Sequence, residues 1–375
     1  MDFSLTSEQE ALRRRAANFA AEYIMPYAEQ WSGEGRFPEE AVRSCARYGL
    51  TGLTVPQSYG GLGASTVAYS LVITELAAAC ASTAVTVAVS SMVAETICKF
   101  GTKAQQERYL PSILNGEFAA AAFALSEAGA GSDASSLRTS GVYEGNDVII
   151  DGEKMWISSG THSGVFVVWV RTAEGDGAKG ISAFLVEPTD PGFKVSRKEE
   201  KMGLRASTTV SLEFDACRIP ISRRLGEAGK GFRIAMQALD GGRIGVASQA
   251  LGIARAALEA VDRYVDVHRH ALNNVRRARL SELKIEYLAA RLLTLQAAWL
   301  KDQGGAFSPQ AAMAKAYSTE TANLICQEAI TLLGEDACTD AYPLERLFRD
   351  SRVTTIYEGT SEVQRIVISR SFLRE

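Results

Sequence analysis

A chain of 375 residues is long enough for two or three domains and a sizeable hydrophobic core. Apolar residues at 46%, charged residues at 22% and a net charge of −4 describe a globular protein with no basic excess for nucleic acid. Six scattered cysteines and three histidines, without a C-x-x-C pair, argue against a disulfide framework or a zinc site and for a reducing cytoplasm.

The N-terminus carries neither a basic region nor an apolar signal core. Thr6-Ser7-Glu8-Gln9-Glu10 holds two overlapping capping-box patterns and opens an amphipathic run to Ala21. Helical periodicity recurs over Pro38 to Arg47, Ser65 to Cys80 and Ala84 to Phe100, with Gly60-Gly61-Leu62-Gly63 as a loop. No charge falls between Glu75 and Glu95, but that interval is mostly alanine, valine, serine and threonine. Its insertion into a membrane would be marginal, so it reads as two small-residue helices buried in a bundle. Residues 1–116 are expected to form an all-helical domain.

From Phe118 the period changes. Val142-Tyr143, Val148 to Ile150, Val165 to Val170, Ile181 to Val186 and Val210 to Phe214 read as short strands, and Asp151-Gly152 as a hairpin turn. Strands without intervening helices predict a small antiparallel barrel over 117–225. Helical periodicity then returns through Phe232 to Val265, Ser281 to Asp302, Pro309 to Leu333 and the closing segment, with Arg276-Arg277-Ala278-Arg279 separating two helices. The expected architecture is multidomain α+β, ending in a four-helix bundle over 226–375.

Four stretches carry chemistry. Phe123 to Ala134 contains Gly129-Ala130-Gly131-Ser132-Asp133-Ala134, a G-x-G-x-x-A match. As a dinucleotide fingerprint it fails on context, because Ser135 to Thr139 leads into β-type alternation rather than a helix. Trp156-Ile157-Ser158 places a hydroxyl two residues from an indole beside a hairpin, where a lone tryptophan is ordinarily barrel core. Gly241-Gly242 within a helical period costs about 1 kcal/mol per glycine relative to alanine, which asks for a local reason. Tyr357-Glu358-Gly359-Thr360-Ser361-Glu362 sets a glutamate before a glycine, with apolar residues upstream. The glycine lets the backbone turn the carboxyl into a cavity, where burial makes it a stronger base. The plainer reading is a capped helix, with Thr360 or Ser361 as N-cap and Glu358 in water.

Together, in this order, the four stretches resemble the acyl-CoA dehydrogenase family over most of the chain, in detail its short-chain or butyryl branch. The resemblance implies helices, a β domain and a helical bundle, with FAD as cofactor. It implies Glu358 as the catalytic base that takes the α-proton of an acyl thioester while the β-hydrogen leaves as hydride. Some branches carry the base at the position of Gly242, which cannot serve here. It further implies FAD contacts at Phe123, Leu125, Ser126, Ser132, Trp156, Ile157, Ser158, Thr360 and Glu362. Substrate contacts fall at Ser132, Asp240, Arg243 and Gly359. Met202 to Thr209 also matches, in a structural role. The implied partners are an acyl-CoA or acyl-carrier-protein thioester and an electron-transfer flavoprotein. The implied assembly is a homotetramer, or a heteromer with a homologous subunit.

Two stretches depart from the family pattern. His268-Arg269-His270-Ala271-Leu272 stands where an Arg, Phe-Gly and Gln are usual, and Thr331 to Cys338 replaces a glycine-rich run with one containing Glu335-Asp336. An acidic pair in place of a glycine loop weakens attraction to a pyrophosphate. FAD is then expected to bind through other residues, such as Arg269, Arg276 or Arg277. The rival from another class is a non-catalytic or heteromeric subunit that binds thioester without oxidising it.

Overall fold

The computed structural model describes residues 4–173, 177–268 and 272–373. Six helices come first: α1 (Ser7–Tyr23), α2 (Ala28–Glu34), α3 (Glu39–Arg47), α4 (Thr66–Ala79), α5 (Ala81–Phe100) and α6 (Lys103–Leu114). Strands β1 (Ala120–Ala124), β2 (Ser140–Glu144), β3 (Asp147–Ser158), β4 (Ser163–Arg171), β5 (Ile181–Val186), β6 (Phe193–Lys198), β7 (Thr209–Pro220) and β8 (Arg224–Leu225) follow. The chain closes with α7 (Gly231–Val267), α8 (Asn274–Asp302), α9 (Ser308–Leu333), α10 (Leu344–Arg352) and α11 (Ser361–Leu373).

The expected order of helices, sheet and helices is observed, with three corrections of detail. The sheet does not close: its order is β6-β7-β3-β2-β4-β5-β8, with β1 pairing β4 in parallel, so it is mixed rather than a purely antiparallel barrel. Its two ends discourage closure, because β6 carries Lys194, Arg197 and Lys198 along the edge and β8 has only two residues. Asp151-Gly152 is not a turn but an irregularity inside β3, where the pairing with β7 shifts register between Ile150 and Gly152. The hairpin instead turns at Gly145-Asn146, between Glu144 and its partner Asp147. The arginine cluster 276–279 lies within α8, whose start is set by Asn273, its side chain accepting from the Arg276 amide at 3.0 Å.

Strand β4 shows why the sheet sits where it does. Val165, Val167 and Trp169 face one core shared with α5, α6 and α7, whereas Phe166, Val168 and Val170 face a second core with β3 and β7. A strand buried on both sides is apolar at every position, which is why Val165 to Val170 shows no alternation. Helix α5 runs past three of the hydrophobic cores, contributing Val85 and Met92 to one, Ala84 and Val87 to another, and Val93 and Ile97 to the third. Both α5 and α7 are long and apolar enough to cross a membrane, yet 83% and 89% of their most apolar windows are buried inside the protein.

Glu75 on α4 ties the first helices to the last ones. It is 7% exposed and accepts from Arg13 of α1 at 3.0 Å and from Arg255 of α7 at 2.9 and 2.7 Å. Burial by itself would raise its pKa, but the hydrogen bonds and charges of Arg255 and Arg13 outweigh that and hold it below the ordinary carboxylate range. Its contribution is therefore present above that range and lost as the pH falls through the depressed value. Glu75→Gln is expected to lose about 2 kcal/mol at pH 7, since charge-assisted hydrogen bonds are weakened while Arg13 keeps Glu10 and Arg255 keeps only its longer contact to Glu259 at 3.4 Å. The deficit should narrow towards pH 3 when the two proteins are unfolded thermally side by side.

Candidate active site

The closing segment reaches the site through a series of short hydrogen bonds. Asp350, buried in α10, accepts the Leu204 amide at 2.6 Å, and Arg349 donates to the Met202 carbonyl at 2.9 Å. The Met202 to Leu204 stretch thus braces α10. A single turn over Val353–Thr355 then delivers Tyr357, whose amide donates to the Val353 carbonyl at 3.3 Å. At that point the backbone inverts: Glu358 has φ +57° and Gly359 φ +91°. A left-handed glutamate is strained by about 1 kcal/mol or more and persists only where its surroundings enforce it. Here Gln364, fully buried in α11, donates to the carbonyls of both Glu358 (3.1 Å) and Gly359 (2.9 Å). Thr360 caps α11 by accepting the Val363 amide at 3.3 Å, so the capped-helix and inward-carboxyl readings hold together.

The Glu358 carboxyl enters a narrow pocket lined by Tyr69, Val85, Val89, Met92, Val246 and Gln249, among others. Its Oε2 atom is buried without a hydrogen-bond partner. Burial pushes the Glu358 pKa up to about 7, against the opposing charges of Arg243 and Lys315. The space exists because of Gly242: a Cβ there would stand 2.5 Å from Glu358 Oε2. This close approach is the local reason for a glycine inside α7. Beside the carboxyl, the Tyr357 hydroxyl bonds Gln249 Oε1, and Gln249 donates to the Ala81 carbonyl at 2.9 Å.

Next to Gly242 on α7, Arg243 donates to Asp240 at 2.5 Å, and Ser308 donates to the same Asp240 oxygen at 2.8 Å. The pair is not an exposed helical ion pair, since Arg243 is buried and its Nε has no partner.

The stretches around 123–132 and 156–158 lie across α5 from this cavity. Phe123 packs against both the core holding Val85, Val89 and Met92 and the core of the sheet. Ser159 donates to Thr86 of α5 at 3.3 Å, and the Ala121 amide donates to Ser90 at 3.1 Å. Val85, Val89 and Met92 thus present one face of α5 to the carboxyl while Thr86 and Ser90 hold the strand ends. Trp156 stands out of β3 with φ +64° and 56% exposure, at a register shift between Lys154 and Ile157. Ile157 and Leu125 are buried in the two sheet cores, so their side chains are not available to a ligand. Ser126 and Ser158 are half-buried, Ser132 is exposed in the glycine-bearing loop, and Glu362 is exposed in the first turn of α11. The exposed indole, the Phe123 ring and these hydroxyls suit a flat apolar ring system with polar edges, so the residues present fit a flavin.

Three buried residues escape a reading of the sequence. Lys154 donates to the Leu125 carbonyl at 3.3 Å and to Glu127 at 2.7 Å. Glu127 in turn accepts the amides of Arg138 at 2.7 Å and Thr139 at 3.0 Å, so the pair closes the loop 125–139 onto β3. Gln249 and Lys315 complete the list. The one available signal was a single lysine inside Ala312-Met313-Ala314-Lys315-Ala316, a charge with only small or apolar neighbours.

In the divergent regions, Arg276 and Arg277 donate to the Leu332 (3.5 Å) and Leu272 (3.1 Å) carbonyls, while Arg269 lies outside the described residues. Glu335 and Asp336 lie in a short turn, Gly334–Cys338.

A buried, unpartnered carboxyl oxygen on one side of α5 and a surface that suits a flavin on the other are features of a flavin-dependent oxidoreductase. Successive parts of the chain match three models of one family: acyl-CoA dehydrogenase N-terminal domain at residues 6–117, middle domain at 122–217 and C-terminal domain at 229–373. The chain belongs to the acyl-CoA dehydrogenase family, whose cofactor is FAD. It is 41% identical over 378 residues to the mitochondrial short-chain specific acyl-CoA dehydrogenase of Rattus norvegicus, covering 99% of this chain and 91% of that protein. It is 39% identical over 381 residues to an acryloyl-CoA reductase (NADH) of Anaerotignum propionicum, covering 100% and 96%. The butyryl-CoA dehydrogenase structure from Megasphaera elsdenii superimposes over 100% of both chains, with a TM-score of 0.96 at 35% identity.

Proposed function

We propose that this protein removes two hydrogens from Cα and Cβ of a short acyl thioester, with Glu358 as the base. The carrying observation is the unpartnered Glu358 Oε2, buried in a small apolar cavity and pushed to a pKa of about 7. A thioester α-proton is far less acidic than a free carboxylic acid, so a carboxylate needs help to take it. Desolvation raises the basicity of Glu358, and its backbone N–H would stabilise the developing enolate oxygen. FAD supplies the acceptor for the β-hydrogen and its electron pair. Phe123, Trp156 and the hydroxyls of Ser126, Ser132 and Ser158 would orient the cofactor and keep water from the reacting carbons, with Thr360 and Glu362 at its far end. Ser132, Asp240, Arg243 and Gly359 are assigned to the thioester. The short-chain and butyryl-CoA dehydrogenase relatives support a short acyl group on coenzyme A, with an electron-transfer flavoprotein as the oxidant.

The acryloyl-CoA reductase relative supports a second direction for the same site, with protonated Glu358 returning the α-proton. Working units of 1–116, 117–225 and 226–375 are proposed for the chain. An exposed apolar stripe on α8, Ile285, Leu288, Leu292 and Trp299, supports assembly, for which a homotetramer is proposed. Six free cysteines support a reducing, cytoplasmic setting.

The test is optical. The purified protein is expected to be yellow, and its flavin band to bleach anaerobically on adding butyryl-CoA, with smaller effects for longer acyl chains. A flavin-loaded protein whose band ignores acyl-CoA and acyl-carrier-protein thioesters alike would favour the non-catalytic subunit.

A further inference from the structure

Lys315 is a buried cation that the reaction just described does not use. It sits on α9 with 0% exposure, and its Nζ donates to the Gly359 carbonyl at 2.7 Å. Among the described residues no carboxylate forms an ion pair with it; the charged groups that act on it are Glu358 at the corner, Arg243 on α7, Glu320 on α9 and Glu362 on α11. A buried ammonium that bonds a carbonyl rather than an acid is costly, and its position needs a reason. That carbonyl is the second of the two that the Gln364 amide also holds, and both belong to the left-handed residues that invert the chain.

We infer that Lys315 is a positioning residue for the base: its ammonium clamps the Gly359 carbonyl, fixes the corner that aims the Glu358 carboxyl, and brings a positive charge near that carboxyl from behind the corner. The inference rests on the reading of Glu358 as the base. Two consequences separate the clamp from the charge. Without the clamp, the strained Glu358-Gly359 backbone can relax and the carboxyl loses its aim. Without the charge, burial of Glu358 is opposed by Arg243 alone, so the carboxyl ionises at a higher pH. Burial lowers the pKa of Lys315 itself to about 8, so its charge is present over the acidic limb and fades only above it. The phenols of Tyr69 and Tyr357 are pushed up by burial and stay neutral throughout this range.

The experiment measures kcat and KM against pH for the FAD-loaded wild type and for Lys315→Met, Lys315→Gln and Lys315→Arg with butyryl-CoA. Lys315→Met is expected to lower kcat about tenfold or more, with KM changed less, as misalignment by a fraction of an ångström would do. Its acidic limb should move up by about one pH unit. Lys315→Gln, neutral but still a donor, should recover part of kcat while its limb stays with that of Lys315→Met. Lys315→Arg should bring the limb back towards the wild type. Limbs of the Met and Gln variants that coincide with the wild type would overturn the inference. Should Lys315→Met not fold, the separation between the Gln and Arg limbs decides, and their coincidence overturns it equally. Glu358→Gln keeps the two readings apart: if it is inactive while all three Lys315 variants behave as wild type, only the role of Lys315 falls. If Glu358→Gln is active, the base assignment falls first.

Discussion

Glu358→Gln is expected to bind FAD and acyl-CoA as the wild type does, and to turn over roughly 10⁴-fold more slowly, the upper range for loss of a general base. That is about 5.5 kcal/mol of transition-state stabilisation, from an exchange of one oxygen for one nitrogen. The amide keeps the shape of the side chain, so the cavity and the corner at Glu358-Gly359 remain intact. Stopped-flow flavin reduction with butyryl-CoA reports the chemical step, and a thioester analogue titrated against the flavin band reports binding. The same substitution has a signature in stability. Glu358 has a raised pKa, so the protonated form is the stable one, and stability is lost as the pH rises through about 7. Glutamine never ionises. The variant should match the wild type at pH 4 and exceed it at pH 8.5 by about 1–3 kcal/mol in thermal or urea unfolding of the holoprotein. Unchanged turnover would remove the base, and an absent pH-dependent gain would remove the claim that the carboxyl is held out of water.

Gly242→Ala should show the opposite balance, costing activity without costing the fold. A Cβ at this position stands 2.5 Å from Glu358 Oε2, 2.9 Å from Cδ and 3.0 Å from Oε1. All three contacts are with the end of one flexible side chain, which can swing aside, so α7 itself need not move. Alanine favours a helix interior over glycine by about 1 kcal/mol, and the melting temperature should hold or rise. The carboxyl, however, is displaced by about an ångström from the place where its proton transfer is aligned, and errors of that size cost about 10²-fold in rate. The expected result is a stable, yellow protein with kcat down about 10²-fold. A variant with wild-type kcat would show that the base works from a position other than the one it occupies here.

Much of this was written in local sequence. The Tyr357-Glu358-Gly359 corner and the glycine within α7 each announced themselves by a residue type at odds with its neighbours. Helices α4, α5, α7 and α9 followed from their periodicity to within a few residues at either end. Local spacing sets φ, ψ and the face a residue shows, and that information survives without a partner. It did not specify which partner each face meets. Asp151-Gly152 has the residues of a tight turn, but β3 continues through it because β7 pairs along its other edge. The sheet stayed open for the same reason, since closure depends on which distant strands find each other. Arg276 to Arg279 looked like a break and became the first turns of α8, because Asn273 supplied the cap just ahead of them. Lys315 bonds a carbonyl 44 residues away and Glu75 an arginine 180 residues away, so neither contact leaves a trace in either local segment. The sequence by itself determined the elements and the carboxyl that ends up before the glycine. Only the tertiary structure decided that this carboxyl holds a buried, unpartnered oxygen, faces the gap left by Gly242 and lies next to a carbonyl bonded by a buried lysine, because desolvation and charge are sums over neighbours brought together from the whole chain.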